Sequence, residues 1–177
     1  MTDVFYASYY GSSKQYADAL AERLGVTARE ISDESASLID VSAAAPIIVL
    51  SPIHGPSHPG VKFVKELEKA GLVDKRRIAL ATVGMTLDDV VVAQDPAGEL
   101  LGNLAERVER FYLPGRMNYS ELRVKHRNIM KGLVTMLKMK PGKSKNDQMM
   151  IDTYGEDVDR VDLSRLDAIV EWVGNHT

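Results

Sequence analysis

The run Pro46-Ile47-Ile48-Val49-Leu50 is continuously apolar and bounded by turn residues. A strand with one wet face alternates apolar and polar residues; a continuous run suits a strand buried on both faces, as in a parallel sheet covered by helices. Four other short runs read as strands: Thr2 to Ala7, Val26 to Ile31, Arg77 to Val83 and the brief Phe111-Tyr112-Leu113. Between them apolar residues recur at helical spacing. Tyr16, Ala17, Leu20, Ala21 and Leu24 form one such set, stopped by Gly25. Val61 to Ala70, Leu100 to Val108 and Leu163 to Val173 supply others, the last with Trp172 placed in or near the core. Five strands alternating with helices predict βαβ units and a doubly wound α/β domain. A length of 177 residues suits a single domain, and neither a repeat nor a linker interrupts it.

Several function classes drop out early. The chain has no cysteine, which removes disulfides, thiolate nucleophiles and Cys-ligated metal centres; no metal is expected. The opening Met1-Thr2-Asp3-Val4-Phe5-Tyr6 does not read as a signal peptide. The longest apolar run, Ala43 to Leu50, is far shorter than the roughly 20 residues of a membrane span. A cytoplasmic protein, at most peripheral at the inner membrane face, is the expectation.

Charge is distributed unevenly. Arg116, Arg123, Lys125, Arg127, Lys131, Lys138, Lys140, Lys143 and Lys145 share the 116–145 stretch with one acid, Glu121, so that stretch carries +8. The whole chain is at -3, which leaves -11 on the rest. A helix from Glu121 to Met139 is predicted in this basic insert, followed by a loop at Pro141 to Lys145. Leu122, Ile129, Met130, Leu133, Met136 and Leu137 would form its apolar side, and Arg123, Arg127, Lys131 and Lys138 a basic stripe. Such a helix either packs on the domain with a solvated basic face or meets an anionic lipid or substrate. Nucleic acid is not expected, because the acidic body would repel it.

Ligands of open parallel sheets bind beyond the carboxyl ends of the strands. Three loops should meet there: Ser8 to Ser13, Ser51 to Gly60 and Gly84 to Asp88. In the first, Ser8-Tyr9-Tyr10-Gly11-Ser12-Ser13 leads straight into a helix, whose free N–H groups and positive dipole end suit a phosphate. Ser12 and Ser13 either complete that oxygen shell or cap the helix. Neither a Gly-x-Gly-x-x-Gly fingerprint nor a Gly-Lys-Ser/Thr P-loop occurs. Tyr9 and Tyr10 either cover ligand surface or pack on the sheet edge. Asp88 reads as the cap of the next helix.

Ser8-x-x-Gly11-x-Ser13 after the first strand resembles the phosphate loop of flavodoxins. Pro52, Ile53, His54 and Gly55 resemble the segment covering one face of the isoalloxazine ring, and Val83, Gly84, Met85 and Thr86 the segment on its other side. The resemblance implies a flavodoxin-like doubly wound sheet in the order 2-1-3-4-5, with the basic helical insert before the last helix. It also implies FMN held by those residues, with His54 as a ring contact and a weak candidate for relaying protons. The stretch from Phe111 to Leu122, with the basic Met-rich helix after it, is similar to the menaquinone-dependent protoporphyrinogen dehydrogenase branch, which serves heme biosynthesis. That likeness implies an oxidoreductase passing electrons from a porphyrinogen-like molecule to a quinone. The alternatives are an electron-transfer flavodoxin docking to redox proteins, an NAD(P)H-quinone reductase-like flavoprotein, and a binding domain that has lost its flavin.

Overall fold

A computed structural model describes residues 1–54 and 57–175 of the chain. Five strands form one parallel sheet: β1 (Asp3–Tyr6), β2 (Ala28–Glu30), β3 (Ile47–Pro52), β4 (Ile78–Gly84) and β5 (Val108–Pro114). Their order is β2-β1-β3-β4-β5, as expected for a doubly wound domain. The register places Tyr6 beside Leu50, Pro52 beside Val83 and Gly84 beside Pro114, so β1, β3 and β4 all end on one rim.

The period of two in each strand sorts side chains onto two cores. Phe5, Ile47, Val49 and Leu80 face helix α2 (Pro59–Lys69), where Phe63, Val64 and Leu67 pack on them. Val4, Ile48, Leu50 and Ala81 face α1 (Ser12–Leu24) and the closing α7 (Asp167–Gly174), meeting Tyr16, Leu20 and Ile169. Every residue of β3 is buried, which explains why its sequence does not alternate. Gly25 ends α1 at φ 65, with its N–H turned back onto the last carbonyls of the helix.

Two predicted elements differ. A helix was expected from Leu100 to Val108, but the chain forms α3 (Asp88–Gln94) and α4 (Pro96–Leu101), then a 3₁₀ turn over Gly102–Arg107. Asp95 starts α4 early: its carboxylate accepts the Gly98 N–H at 3.0 Å, and Pro96 follows at the first helical position. Gly102, at φ 61 and ψ -124, stops it. Val108 therefore begins β5, which runs seven residues rather than three. Asp88 is no cap: Leu87 holds that position, and the Asp88 carboxylate pairs with Arg165.

The insert is also larger than the basic stretch. It opens with β6 (Arg116–Met117) and continues through α5 (Val124–Met139) and α6 (Lys145–Asp152) to β7 (Val158–Asp159). β6 and β7 pair antiparallel, so the insert leaves and rejoins the domain at one point. The helix expected from Glu121 begins at Val124, after a 3₁₀ turn over Tyr119–Glu121. α6 was not anticipated. Ser144 and Asp147 close a capping box on it, with N–H to oxygen distances of 3.1 and 2.9 Å. The Asp147 pKa falls to about 2, chiefly through its hydrogen bond from Lys140.

The predicted apolar side of α5 is split. Val134 and Leu137 are buried, whereas Ile129 and Met136 are 57% and 61% exposed. At about 100° per residue, the solvent crown carries Asn128, Gly132, Thr135 and Met139. Ile129 and Met136 lie on one flank of that crown, and Arg127, Lys131 and Lys138 on the other. Two buried side chains contribute roughly 3–6 kcal/mol, little for a 16-residue helix once ordering entropy is charged against it. Polar ties to the body therefore have a large share in placing the insert.

Candidate functional site

The first loop, residues 7–11, joins β1 to α1. Gly11 sits at φ 87, where an L side chain is strained, and its N–H donates to the Ser8 hydroxyl at 3.1 Å. Ser12 and Ser13 are buried in the first turn of α1 but do not cap it; the N-cap position is Gly11, without a side-chain acceptor. No acidic residue lies in that turn. The helix end thus keeps its positive dipole uncompensated and its first N–H groups open to an anion. This excludes the capping role for Ser12 and Ser13 and fits a phosphate.

The second loop is described at residues 53–54 and 57–58. His54 and Ser57 exchange backbone hydrogen bonds of 2.9 and 3.1 Å, and Ile53 N–H reaches the Val83 carbonyl at 3.2 Å. Gly55 lies outside the described residues. His58 ends the turn with its ring buried, Nε2 against the Thr82 hydroxyl at 2.9 Å. Its Nδ1 finds no partner among the described residues. Burial of the imidazole pushes its pKa down to about 4.

The third loop, residues 85–87, is held from three sides. Tyr112 donates its hydroxyl to the Thr86 carbonyl at 3.0 Å, and burial raises its pKa to about 12. Arg160 donates to the Met85 carbonyl at 3.0 Å, and Leu87 N–H donates to the Asn146 side chain at 3.0 Å. Gly84 must be small: a Cβ there would stand 2.8 Å from the Tyr112 oxygen and 3.2 Å from Ile53. The structure therefore gathers Ser8 to Ser13, Pro52 to His54 and Val83 to Thr86 at one rim.

Aromatic rings join the first two loops. Tyr9 meets His54 edge-on at 5.0 Å between ring centres, and Tyr10 meets it at 6.2 Å. Tyr10 also stands 6.0 Å from His126 on α5, and its hydroxyl shares a hydrogen bond with His126 Nδ1. The tyrosines thus pack on loop and insert rather than on the sheet edge. The His54 pKa is lowered by desolvation and then by nearby His126. Trp172 is remote from this rim, edge-on to Phe111 with the Arg77 guanidinium 4.3 Å above its ring.

His58, Thr82, Tyr112, His126, Asn146 and Arg160 escaped the sequence reading. Each touches a site loop through a contact that no local spacing encodes. Two open recesses lie elsewhere: about 450 Å³ near Arg77 and Trp172, and about 420 Å³ within the insert beside Tyr119, Arg127 and Tyr154. Among the described residues, no cluster of metal-ligating side chains occurs.

A doubly wound sheet with an uncapped helix end at its switch point defines a class of anion-binding α/β domains. Within that class a family model described as "Flavodoxin domain" matches residues 4–145. The chain belongs to that flavodoxin family. No curated protein and no solved structure matches it.

Proposed function

We propose that this protein is an FMN-dependent oxidoreductase of flavodoxin type whose insert forms one wall of the reaction site. The observation that carries this reading is the position of the insert: α5 is tied to the first loop through His126, and α6 to the third through Asn146. An electron carrier gains nothing from such a wall, whereas an enzyme uses one to seat a second small molecule beside its cofactor.

FMN, when bound, supplies the one- and two-electron chemistry. The first loop fits its phosphate, with the α1 N–H groups and the Ser8, Ser12 and Ser13 hydroxyls as donors. Tyr9, Tyr10 and His54 would cover ribityl and ring surface. Pro52 and Ile53 on one side, and Val83 to Thr86 on the other, would bracket the ring. His54 is the side chain best placed to hold or move a proton at the rim, and desolvation favours its neutral, proton-accepting form.

Membership of the family supports the cofactor. The Met-rich insert and the earlier likeness support a porphyrinogen-like or quinone substrate. Outside the 116–159 insert the body carries -6, which favours, as a second reading, docking to a basic redox protein. Purified protein should be yellow and retain FMN. A colourless product that takes up no added FMN would overturn the cofactor, and with it the oxidoreductase. With FMN bound, turnover of protoporphyrinogen with menaquinone supports the enzyme; reduction only by a partner reductase supports the carrier.

Among the described residues, no helix is long and apolar enough to cross a membrane. Arg127, Lys131 and Lys138 on one flank of α5 favour electrostatic approach as the mode for any lipid contact. Reversing charge at Arg123, Arg127 and Lys131 should abolish co-sedimentation with anionic vesicles; unchanged binding would remove the membrane from the proposal.

A further inference from the structure

We infer that His126 is a positioning residue of the phosphate loop, so that cofactor binding and seating of the insert are one coupled event. The inference rests on the FMN reading and extends it to a residue 116 positions from its partner. Within the first loop, the internal tie is the Gly11 N–H to Ser8 Oγ bond, on the exposed surface. Gly11 itself contributes freedom rather than restraint. Tyr10 precedes it directly, and its ring is fixed from outside by His126 and His54. Fixing Tyr10 fixes the entry to the left-handed turn that aims the α1 N–H groups.

His126 can do this because it is presented from a platform. The Asn146 bond holds the insert to the third loop, Arg160 just past the insert does the same, and the β6–β7 ribbon closes it. At the ribbon, Arg116 pairs with Asp159 at 2.8 Å and donates to Gln15 of α1 at 2.7 Å. The insert thus spans the site, touching the first loop with α5 and the third with α6. A loop ordered in advance binds its phosphate at a lower entropic cost, and coupling of this kind is reciprocal: a bound phosphate must also tighten the insert.

The test compares FMN with riboflavin, which lacks the phosphate, in wild type, His126→Ala, His126→Asn and Tyr10→Phe, each checked for an unchanged circular dichroism spectrum. Loss of one hydrogen bond predicts about tenfold weaker FMN binding in His126→Ala and Tyr10→Phe. Riboflavin binding should fall much less than FMN binding, because the two ligands share the ribityl and ring surface that Tyr10 covers and differ only in the phosphate. His126→Asn, which keeps a polar group near the Nδ1 position, should recover most of the FMN affinity. Hydrogen exchange supplies a readout apart from affinity: FMN should slow exchange across α5 and α6 in wild type, and much less in Tyr10→Phe. Wild-type FMN affinity in both disrupting variants, or equal loss for FMN and riboflavin, overturns the inference alone. A wild type that binds no FMN overturns the cofactor reading along with it.

Discussion

His58 lies where the second loop turns into α2, with its ring buried against Thr82. The fold favours the neutral imidazole, so between pH 6.5 and about 4 the unfolded chain binds the extra proton. Stability is therefore fully present above pH 6.5, declines as the pH falls to about 4, and is flat with respect to this group below that. At about 1.36 kcal/mol per pKa unit, the loss is roughly 3 kcal/mol. Urea midpoints from pH 7 to 4 should show the decline, and His58→Gln should flatten much of it. An identical slope in the variant would clear His58. Gly84 offers a second test at this scale. Gly84→Ala forces a methyl against the Tyr112 hydroxyl and should destabilise by about 1–3 kcal/mol. Adding Tyr112→Phe, which removes the obstructing oxygen, should restore part of that loss; strict additivity of the two changes would refute the clash.

Among elements, the insert depends most on specific polar contacts. α6 has eight residues, and its start is set by the Ser144–Asp147 capping box. Ser144→Ala should cost about 1 kcal/mol and show first as faster amide exchange in α6, before any change in the sheet. Equal acceleration across β3 would mean that the insert and the sheet unfold together. The sheet itself rests on apolar burial from both faces and does not need the insert: no residue of α5 or α6 belongs to either hydrophobic core cluster.

For the whole molecule, a ligand that binds only the folded chain raises stability by mass action. FMN at 100 times its Kd should add about 2.7 kcal/mol, visible as a concentration-dependent rise in Tm, with riboflavin producing a smaller shift at equal concentration. No FMN-dependent shift would count directly against the cofactor. Much of this architecture is legible in the sequence. The unalternating Pro46 to Leu50 run suits a doubly buried strand in a covered sheet, and the helical spacing around Tyr16 and Phe63 supplies covering layers. Gly11 after the first strand marks the turn into α1. Such features are local: a period, a turn residue and a charge count are complete within a few positions. The contacts of His126 with Tyr10, Asn146 with Leu87, and Arg160 with Met85 join positions 59 to 116 residues apart. No periodicity links such pairs, because they arise only when the β6–β7 ribbon folds the insert back over the rim. Local pattern thus carries the sheet, its covering on both faces and the glycine turn that opens α1. That the insert reaches both the first and the third loop is set by the tertiary structure, since it follows from how the chain closes on itself.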